Sequence, residues 1–263
     1  MRKILLIGCI LFYTAAQAQL TEKIETDRPD QTESPYLVPK RWFQSETGFN
    51  IENDKDGSKT FIHPSMLNKY GISNRIELRL ITEYVTEQSP LIIPFGNRTV
   101  TGLQPIQVGG KIALWEEKGL LPKTSVIAHT SIPKAAYKEF RQPKWGPNFR
   151  FTMQNSLSDN ISLGYNIGME WDGEENGSPS YIYTLAPGFN LGEKWYAYIE
   201  LFGFLNADNH PQHSADGGIA YNFSNNVKAD ISGGFGITKN TSLKNYIAVG
   251  FSFRLPVGKS EKQ

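Results

Sequence analysis

The sequence predicts an all-β protein, a transmembrane antiparallel up-and-down β-barrel of about twelve strands. In residues 161–172, large apolar residues occupy every second position, with small or polar residues between them. A period of two is typical of a β-strand with one apolar and one polar face. The pattern recurs from about residue 41 to residue 255 without a helical period. Short and long connections also alternate along the chain, as they do in outer-membrane barrels.

The composition fits one large β-domain and excludes some function classes. The chain has 263 residues and a formal charge of +1, so no basic surface indicates nucleic acid as a partner. Mean hydropathy is −0.39, and no apolar run after the N-terminus reaches the roughly 20 residues of a spanning helix. A barrel strand needs only about 10 residues, alternate ones polar, so low hydropathy does not argue against a membrane.

Residues 1–18 are predicted to form a signal peptide, and maturation is expected to begin at Gln19. Two basic residues precede an apolar region, and Ala-Gln-Ala at 16–18 matches the A-x-A cleavage pattern. The chain's one cysteine, Cys9, lies in this segment. We therefore expect no disulfide, cysteine nucleophile or cysteine-ligated metal in the mature protein.

Residues 19–40 are polar and contain three prolines, so we interpret them as an extended periplasmic leader and not as a strand. Two alternatives stay open for the charged residues of this leader. They solvate a tail, or they enter or cap the periplasmic mouth of the barrel. The residues concerned are Asp27, Arg28, Asp30 and Glu33.

The alternation places the barrel at residues 41–257 and a polar tail at 258–263. The predicted strands are 41–52, 59–72, 75–87, 104–116, 122–133, 147–157, 161–172, 180–191, 195–206, 215–224, 227–238 and 245–255. The short connections between them carry hairpin-turn residues and are 73–74, 117–119, 158–160, 192–194 and 225–226. Tight turns face the periplasm in such barrels, and an even strand count puts both termini there. The apolar loop segment 89–96 is expected to fold inward or to pack on the rim.

The two faces of the strands can be assigned from the alternation. The apolar face, which includes Leu78, Phe151 and Phe251, is predicted to contact lipid, with tryptophans at strand ends as an aromatic girdle. The opposite face carries charges of both signs. The predicted lumen residues are Glu46, Glu77, Arg79, Glu83, Lys111, Arg150, Glu170, Glu200, Lys228, Asp230 and Arg254.

These lumen charges support two interpretations. They pair with one another and brace the wall, since a charge shielded from water needs a partner. Alternatively, they line a pore and select solutes by charge. Both can hold in one barrel.

One stretch of the sequence resembles a known family. The motif TDRPDQTESP at 26–35, followed by residues 43–49 and by YGISNRIELR at 70–79, is similar to the outer-membrane barrel family filed under the meta-pathway of phenol degradation. The resemblance covers essentially the whole mature chain, and its first motif is fairly specific. It implies an outer-membrane barrel of the kind generally labelled a transporter.

A single enzymatic hypothesis arises from the sequence. His129 and Ser131 lie two apart on one predicted strand, a spacing similar to the His-x-Ser pair that outer-membrane phospholipases carry on the lipid face. A lipid hydrolase is therefore kept as a minor alternative. The main expectation is that the protein is not an enzyme and needs neither a cofactor nor a metal.

The function we expect is passive transport of small solutes, apolar or aromatic ones included, through a narrow lumen of about twelve strands. A non-conducting structural or surface-binding barrel is the alternative. Outer-membrane lipid, lipopolysaccharide and the outer-membrane insertion machinery are the expected partners, and the solute is not identified.

Overall fold

A computed structural model describes residues 21–90, 97–206 and 211–258 of the chain. The predicted signal peptide, residues 91–96 of the apolar loop segment and most of the predicted tail lie outside the described residues.

The described chain forms β-strands and one short 3-10 helix, and all strand pairs are antiparallel. The 3-10 helix is Lys138–Phe140, between β6 and β7. The strands are β1 Trp42–Asp54, β2 Lys59–Ser73, β3 Ile76–Pro90, β4 Asn97–Leu103, β5 Gln107–Trp115, β6 Lys123–Ser131, β7 Gly146–Ser158, β8 Ile161–Glu170, β9 Ser180–Leu191, β10 Trp195–Asn206, β11 Gln212–Ser224, β12 Val227–Gly236 and β13 Leu243–Pro256.

The sheet closes on itself because β1 pairs with both β2 and β13, and β2 pairs with β3. Strands β4 and β5 both pair with β3. Strand β5 pairs with the first half of β3, and β4 pairs with its second half. They lie end to end in one position of the wall, so the barrel has twelve strand positions, as predicted.

The predicted strand 104–116 was wrong in its bounds. Pairing in this wall position begins at Asn97, and the strand is interrupted at 104–106. Pro105 lies in this gap, and proline has no N–H to donate to a neighbouring strand.

The faces are arranged as in a membrane barrel, with apolar side chains outside and polar side chains inside. Ile199 is 62% exposed on the outer face, whereas Glu77 and Lys111 are 0% exposed on the inner face. The described residues include no helix of the length and apolarity needed to cross a membrane.

The β6–β7 connection folds over one side of the lumen. Its Tyr137 N–H donates to the Leu103 carbonyl at 2.8 Å, and a Cβ at Gly102 would lie 2.5 Å from the Tyr137 Cβ. Gly102 pairs with Val85, whose side chain is buried. The loop therefore narrows the barrel at the end where the long connections lie.

Candidate functional site in the barrel lumen

Residues 21–40, here called the plug, lie inside the barrel. The Ile24 N–H donates to the carbonyl of Asn225, in the short β11–β12 turn, at 2.8 Å. At the other end of the plug, Lys40 forms a parallel β-bridge with Gly71, close to the short β2–β3 turn. The plug therefore enters and leaves the lumen at the same end, that of the short turns, and does not span the membrane.

The plug is bound most densely at Asp27. Its buried carboxylate contacts Lys69 Nζ at 2.8 Å, Arg79 Nη1 at 2.9 Å and Lys111 Nζ at 3.1 Å. These three wall residues, here called the basic cluster, come from β2, β3 and β5. Burial alone would raise the pKa of the Asp27 carboxyl, but the charges of Lys111, Lys69 and Arg79 hold that pKa well below its usual range.

Acidic wall residues bind the backbone of the plug beside the basic cluster. Glu46 accepts hydrogen bonds from the Asp27 and Arg28 N–H groups at 2.9 and 3.1 Å, and it also pairs with Lys69. Glu77 accepts the Val38 N–H at 2.6 Å. Each of these carboxylates thus satisfies backbone donors that would otherwise be buried without a partner.

The middle of the plug is bound by a second set of wall residues, on β8 to β10. Asn166 accepts the Glu33 N–H at 2.7 Å and donates to the Glu33 carbonyl at 3.0 Å. Glu200 accepts the Gln31 N–H at 2.7 Å and the Thr32 hydroxyl at 2.6 Å. The Glu33 carboxylate reaches back across the lumen to Arg79 at 2.6 Å, so the plug joins opposite walls.

Arg28 extends from the plug towards the wall formed by β1, β12 and β13. Its guanidinium pairs with Asp230 at 3.0 Å. A Cβ at Gly48 would lie 2.6 Å from Arg28 Cζ, and one at Gly250 would lie 2.6 Å from Asp230 Oδ2. The two glycines therefore leave the space in which this ion pair forms.

The entrance of the plug is bound by cations of the last two strands. Arg254 Nη2 donates to the carbonyls of Thr21 and Glu22 at 2.9 and 3.0 Å. Lys228 Nζ donates to the Thr26 hydroxyl at 2.9 Å. The start of the described chain is thereby held against the short-turn end of β12 and β13.

The remaining predicted lumen residues also face inward. Arg150 donates to the Gln31 carbonyl at 3.3 Å and lies 3.8 Å from Glu170. Glu83 accepts the Ser65 hydroxyl at 3.1 Å and forms no hydrogen bond or ion pair with the described residues of the plug. Their role in transport stays a prediction.

Asp30 contrasts with Asp27 although the two lie close together on the plug. Burial raises the pKa of the Asp30 carboxyl to about 8, and the charges of Asp216 and Asp27 add to the effect against that of Lys228. Asp30 therefore lies on a side of the lumen where negative charge is poorly compensated.

Uncharged polar residues also hold the plug, and the sequence reasoning did not single them out. The Ser125 hydroxyl donates to the Pro35 carbonyl at 2.6 Å, and the Gln44 amide donates to the Glu25 carbonyl at 2.7 Å. Asn166 belongs to the same group. In the sequence, these residues are marked only by their position among the alternate residues that face inward on their strands.

The hydrolase hypothesis requires His129 and Ser131 to face the lipid, and the structure places them elsewhere. Both side chains are buried on the lumen side. Arg79 Nε donates to His129 Nε2 at 2.9 Å, and the Ser131 hydroxyl donates to Gln142 at 2.6 Å. The histidine and the serine are thus hydrogen-bonded to other side chains and lie away from the lipid.

The plug leaves space on one side of the lumen. A cavity of about 230 Å³ lies between the plug and the wall of β7 to β12, and its lining includes Lys23, Glu33, Gln154, Asn190 and Lys228. Among the described residues, no group of three His, Cys, Asp or Glu side chains is placed to hold a metal ion.

The sequence profile of one family, described as "Putative MetA-pathway of phenol degradation", matches residues 26–255. The chain belongs to this family. The match includes most of the plug as well as the barrel, so the phenol-degradation family shares both parts in sequence. No protein of curated function matches the chain.

Several solved structures of outer-membrane proteins are similar to this chain in fold. An outer membrane channel from Pseudomonas putida F1 matches with a TM-score of 0.66 and 10% identity, over 88% of this chain and 100% of that chain. The NanC porin matches at 0.54 and 8% identity, over 81% and 100%. The beta domain of the Bordetella autotransporter BrkA matches at 0.51 and 10%, over 81% and 97%. The fold is that of outer-membrane channels and porins.

Proposed function

We propose that the protein carries small solutes passively across the outer membrane, and that the plug controls the lumen. The observation that carries this proposal is that a separate segment of chain, and not the wall itself, fills the short-turn half of the lumen. We place the mature protein in the outer membrane after removal of residues 1–18, with lipid, lipopolysaccharide and the insertion machinery as its partners.

The distribution of ion pairs favours a removable plug over a wall that is simply braced. If the lumen charges served to brace the wall, they would pair mainly with one another. Instead, Lys69, Arg79 and Lys111 all converge on Asp27 of the plug. Among the described residues, the plug forms only one β-bridge with the wall, between Lys40 and Gly71, so it is not a strand of the sheet.

The solute class we favour is small apolar or aromatic molecules. The register of β1 with β2 shifts between Gly48 and Asn50, and that of β2 with β3 shifts between Ile62 and Ser65. At this level a mainly apolar cavity of about 580 Å³ lies in the wall and opens to the lipid-facing side, where Phe49, Ile51 and Ile247 are exposed. Its lining includes Phe49, Ile51, Ile62, Ile247 and Ala248, from both faces of the wall. An apolar solute can occupy such a cavity without losing polar contacts.

The test is single-channel conductance of the refolded mature protein in a planar bilayer. Three proteins are compared: the intact chain, a variant lacking residues 19–38, and Asp27→Asn. We expect small conductance in the intact protein and a several-fold larger conductance in both variants. Heat-modifiable gel migration shows that each variant has folded. Equal conductance in the three folded proteins would exclude control by the plug, and silence in all of them would favour a structural or binding barrel.

The solute class is tested by uptake into proteoliposomes. We expect phenol and toluene to enter faster than glycerol or glycine at equal concentration. Ile62→Trp should slow the aromatic solutes selectively because it fills the wall cavity, whereas Ile112→Trp, on the outer face of β5, serves as the control. Equal rates for all solutes would contradict the apolar preference.

A further inference from the structure

A group of acidic and hydroxyl side chains lines the inner face of β10 to β13, beside the middle of the plug. We call it the acidic pocket. Glu200 and Asp216 are direct cross-strand partners on β10 and β11. Asp30 of the plug adjoins them, because the next residue, Gln31, donates its N–H to Glu200. The other members of the acidic pocket are Tyr198, Ser232 and Tyr246.

Three carboxyl groups meet in the acidic pocket, and none of them forms an ion pair with a cation of the described residues. Side chains directly opposite each other on neighbouring strands lie about 5 Å apart, and like charges there repel. The nearest cations are committed to other groups. Arg28 pairs with Asp230, and Lys228 donates to the Thr26 hydroxyl while it lies 5.2 Å from the centre of the Tyr196 ring.

The hydroxyl of Tyr198 is the observation that points to a ligand. The residue is only 2% exposed, and its hydroxyl has no hydrogen-bond partner among the described residues. Its ring crosses Gly218 towards Ser232, since a Cβ at Gly218 would lie 2.7 Å from Tyr198 Cε1 and 2.9 Å from Ser232 Cβ. Tyr198 therefore points into the acidic pocket.

Two more buried polar atoms of the pocket, Ser232 Oγ and Asp216 Oδ1, make no hydrogen bond of ordinary geometry in the described chain, although Tyr246 adjoins Ser232 and Glu200 adjoins Asp216. The second carboxylate oxygen of Asp216 accepts the Tyr246 hydroxyl at 2.5 Å. Buried polar groups are almost always hydrogen-bonded, so the Tyr198 hydroxyl in particular indicates a bound group that satisfies it.

We propose that the acidic pocket binds a cation, and that an ammonium group carried by a small aromatic solute is the form that fits best. An ammonium group supplies N–H donors to the acceptors of Asp216, Ser232 and Tyr198. Its charge stabilises the ionised form of the pocket's carboxyl groups, which is costly to bury without a partner. The rings of Tyr198 and Tyr246 add aromatic surface beside the charge.

The chemistry of the pocket disfavours other ligand classes. A carboxylate or phosphate would be repelled by each carboxyl group that is ionised. A neutral alcohol could satisfy the hydroxyl groups but brings no charge to stabilise an ionised carboxyl group. An inorganic cation shares the required charge with an ammonium group, so the experiment has to separate these two sources.

The test is isothermal titration calorimetry of the full mature protein, refolded in detergent. The probes are benzylamine at pH 7, where it is protonated, and the neutral benzyl alcohol and anionic benzoate as matched controls. Potassium and calcium chloride test the inorganic source. Because binding is measured at equilibrium, a barrel that does not transport can still pass this test.

We expect benzylamine to bind and Glu200→Gln or Asp216→Asn to weaken it about tenfold or more, since each removes a charged hydrogen-bond acceptor. The matched control is Glu170→Gln, a lumen carboxylate that lies near Arg150 and outside the pocket. Gel migration shows whether each variant has folded. Two pocket variants are used so that, if one misfolds, the other still tests the proposal.

Competition by potassium or calcium at similar concentration would support the cation site and assign it to inorganic ions. Equal binding of benzyl alcohol and benzylamine, or equal loss in Glu170→Gln, would overturn the proposal. So would benzylamine affinity that is unchanged in both folded pocket variants.

Discussion

Asp27 and Asp30 lie three residues apart on the plug but face opposite sides of the lumen. Asp27 meets three cations of β2, β3 and β5, and its pKa is held well below the usual range. Asp30 lies beside Glu200 and Asp216, and burial raises its pKa to about 8. One side of the lumen therefore fastens the plug by charge, whereas on the other side Asp30 is mostly protonated at pH 7 and forms no ion pair with the described residues.

The difference separates two tasks within one lumen. The positive charge of the basic cluster is compensated by the plug itself, so this cluster requires no bound ligand. The acidic pocket contains carboxyl groups with which no cation of the described plug residues forms an ion pair. We infer that the basic cluster makes the main charged contact to the plug, and that the β10–β13 side, where Glu200 and Asp230 also bind the plug, offers carboxyl groups that are available to a solute.

The largest effect is expected from Asp27→Asn. The substitution leaves Lys69, Arg79 and Lys111 buried with less compensating charge, which costs on the order of 3–5 kcal/mol of plug binding. The plug should leave the lumen for much of the time, and the mean conductance should rise. Asp30→Asn is the matched control and should leave the plug in place. Similar conductance in the two variants would contradict the division between the two sides.

A smaller effect is expected from Gly250→Ala. Its Cβ would contact Asp230 Oδ2 at 2.6 Å and the Arg28 guanidinium, so the ion pair between them must shift. We expect a loss of about 1–3 kcal/mol in plug binding, measured as faster proteolysis of the plug from the short-turn side. Gly233→Ala, whose nearest atom would be a carbonyl oxygen at 3.1 Å, is the control. Proteolysis that is no faster than in the control would show that Arg28 adds nothing to plug binding.

Asn166→Ala should have a more modest effect. It removes both hydrogen bonds to the Glu33 backbone, which costs about 1–3 kcal/mol because the Glu33 groups lose their partner inside the lumen. Hydrogen exchange at the Glu33 amide measures the change, with the exposed Asn190→Ala as control. Unchanged protection of Glu33 would mean that the other contacts to the middle of the plug, such as those of Glu200 and Arg79, hold it without Asn166.

The smallest effect is expected from pH between 7 and 5. The lowered pKa of Asp27 means that its contribution to plug binding is present above the unfolded value of about 3.9 and is lost only as pH falls through the lower folded value. Conductance should therefore stay constant from pH 7 to pH 5 and rise only below about pH 4. A rise already at pH 6 would show that another group controls the plug.

The barrel could be predicted because the period of two is a local property of each strand. Which residues of β6 face the lumen was harder to assign from the sequence, since Ile127 is apolar yet fully buried on the inner face beside His129. The break at Pro105 was missed because the alternation on either side of it looks continuous in sequence.

The binding of the plug could be predicted only in outline. The charged candidates Asp27, Arg28, Asp30 and Glu33 were named, but their partners depend on strand register and on closure of the barrel. Lys69 and Lys111, for instance, meet at Asp27 only because β2, β3 and β5 are neighbours in the closed wall. Uncharged partners such as Asn166 carry no signal of their own in a single sequence.

The most direct measurement of plug control uses a reversible disulfide between the plug and the wall. The Thr32 and Thr184 hydroxyls lie 2.6 Å apart, and the predicted mature chain has no cysteine of its own. Thr32→Cys and Thr184→Cys are combined with Asp27→Asn, and conductance is recorded before and after reduction. We expect the oxidised barrel to be nearly silent and the reduced barrel to conduct. Equal conductance in both states, with the disulfide verified, would contradict control of the lumen by the plug.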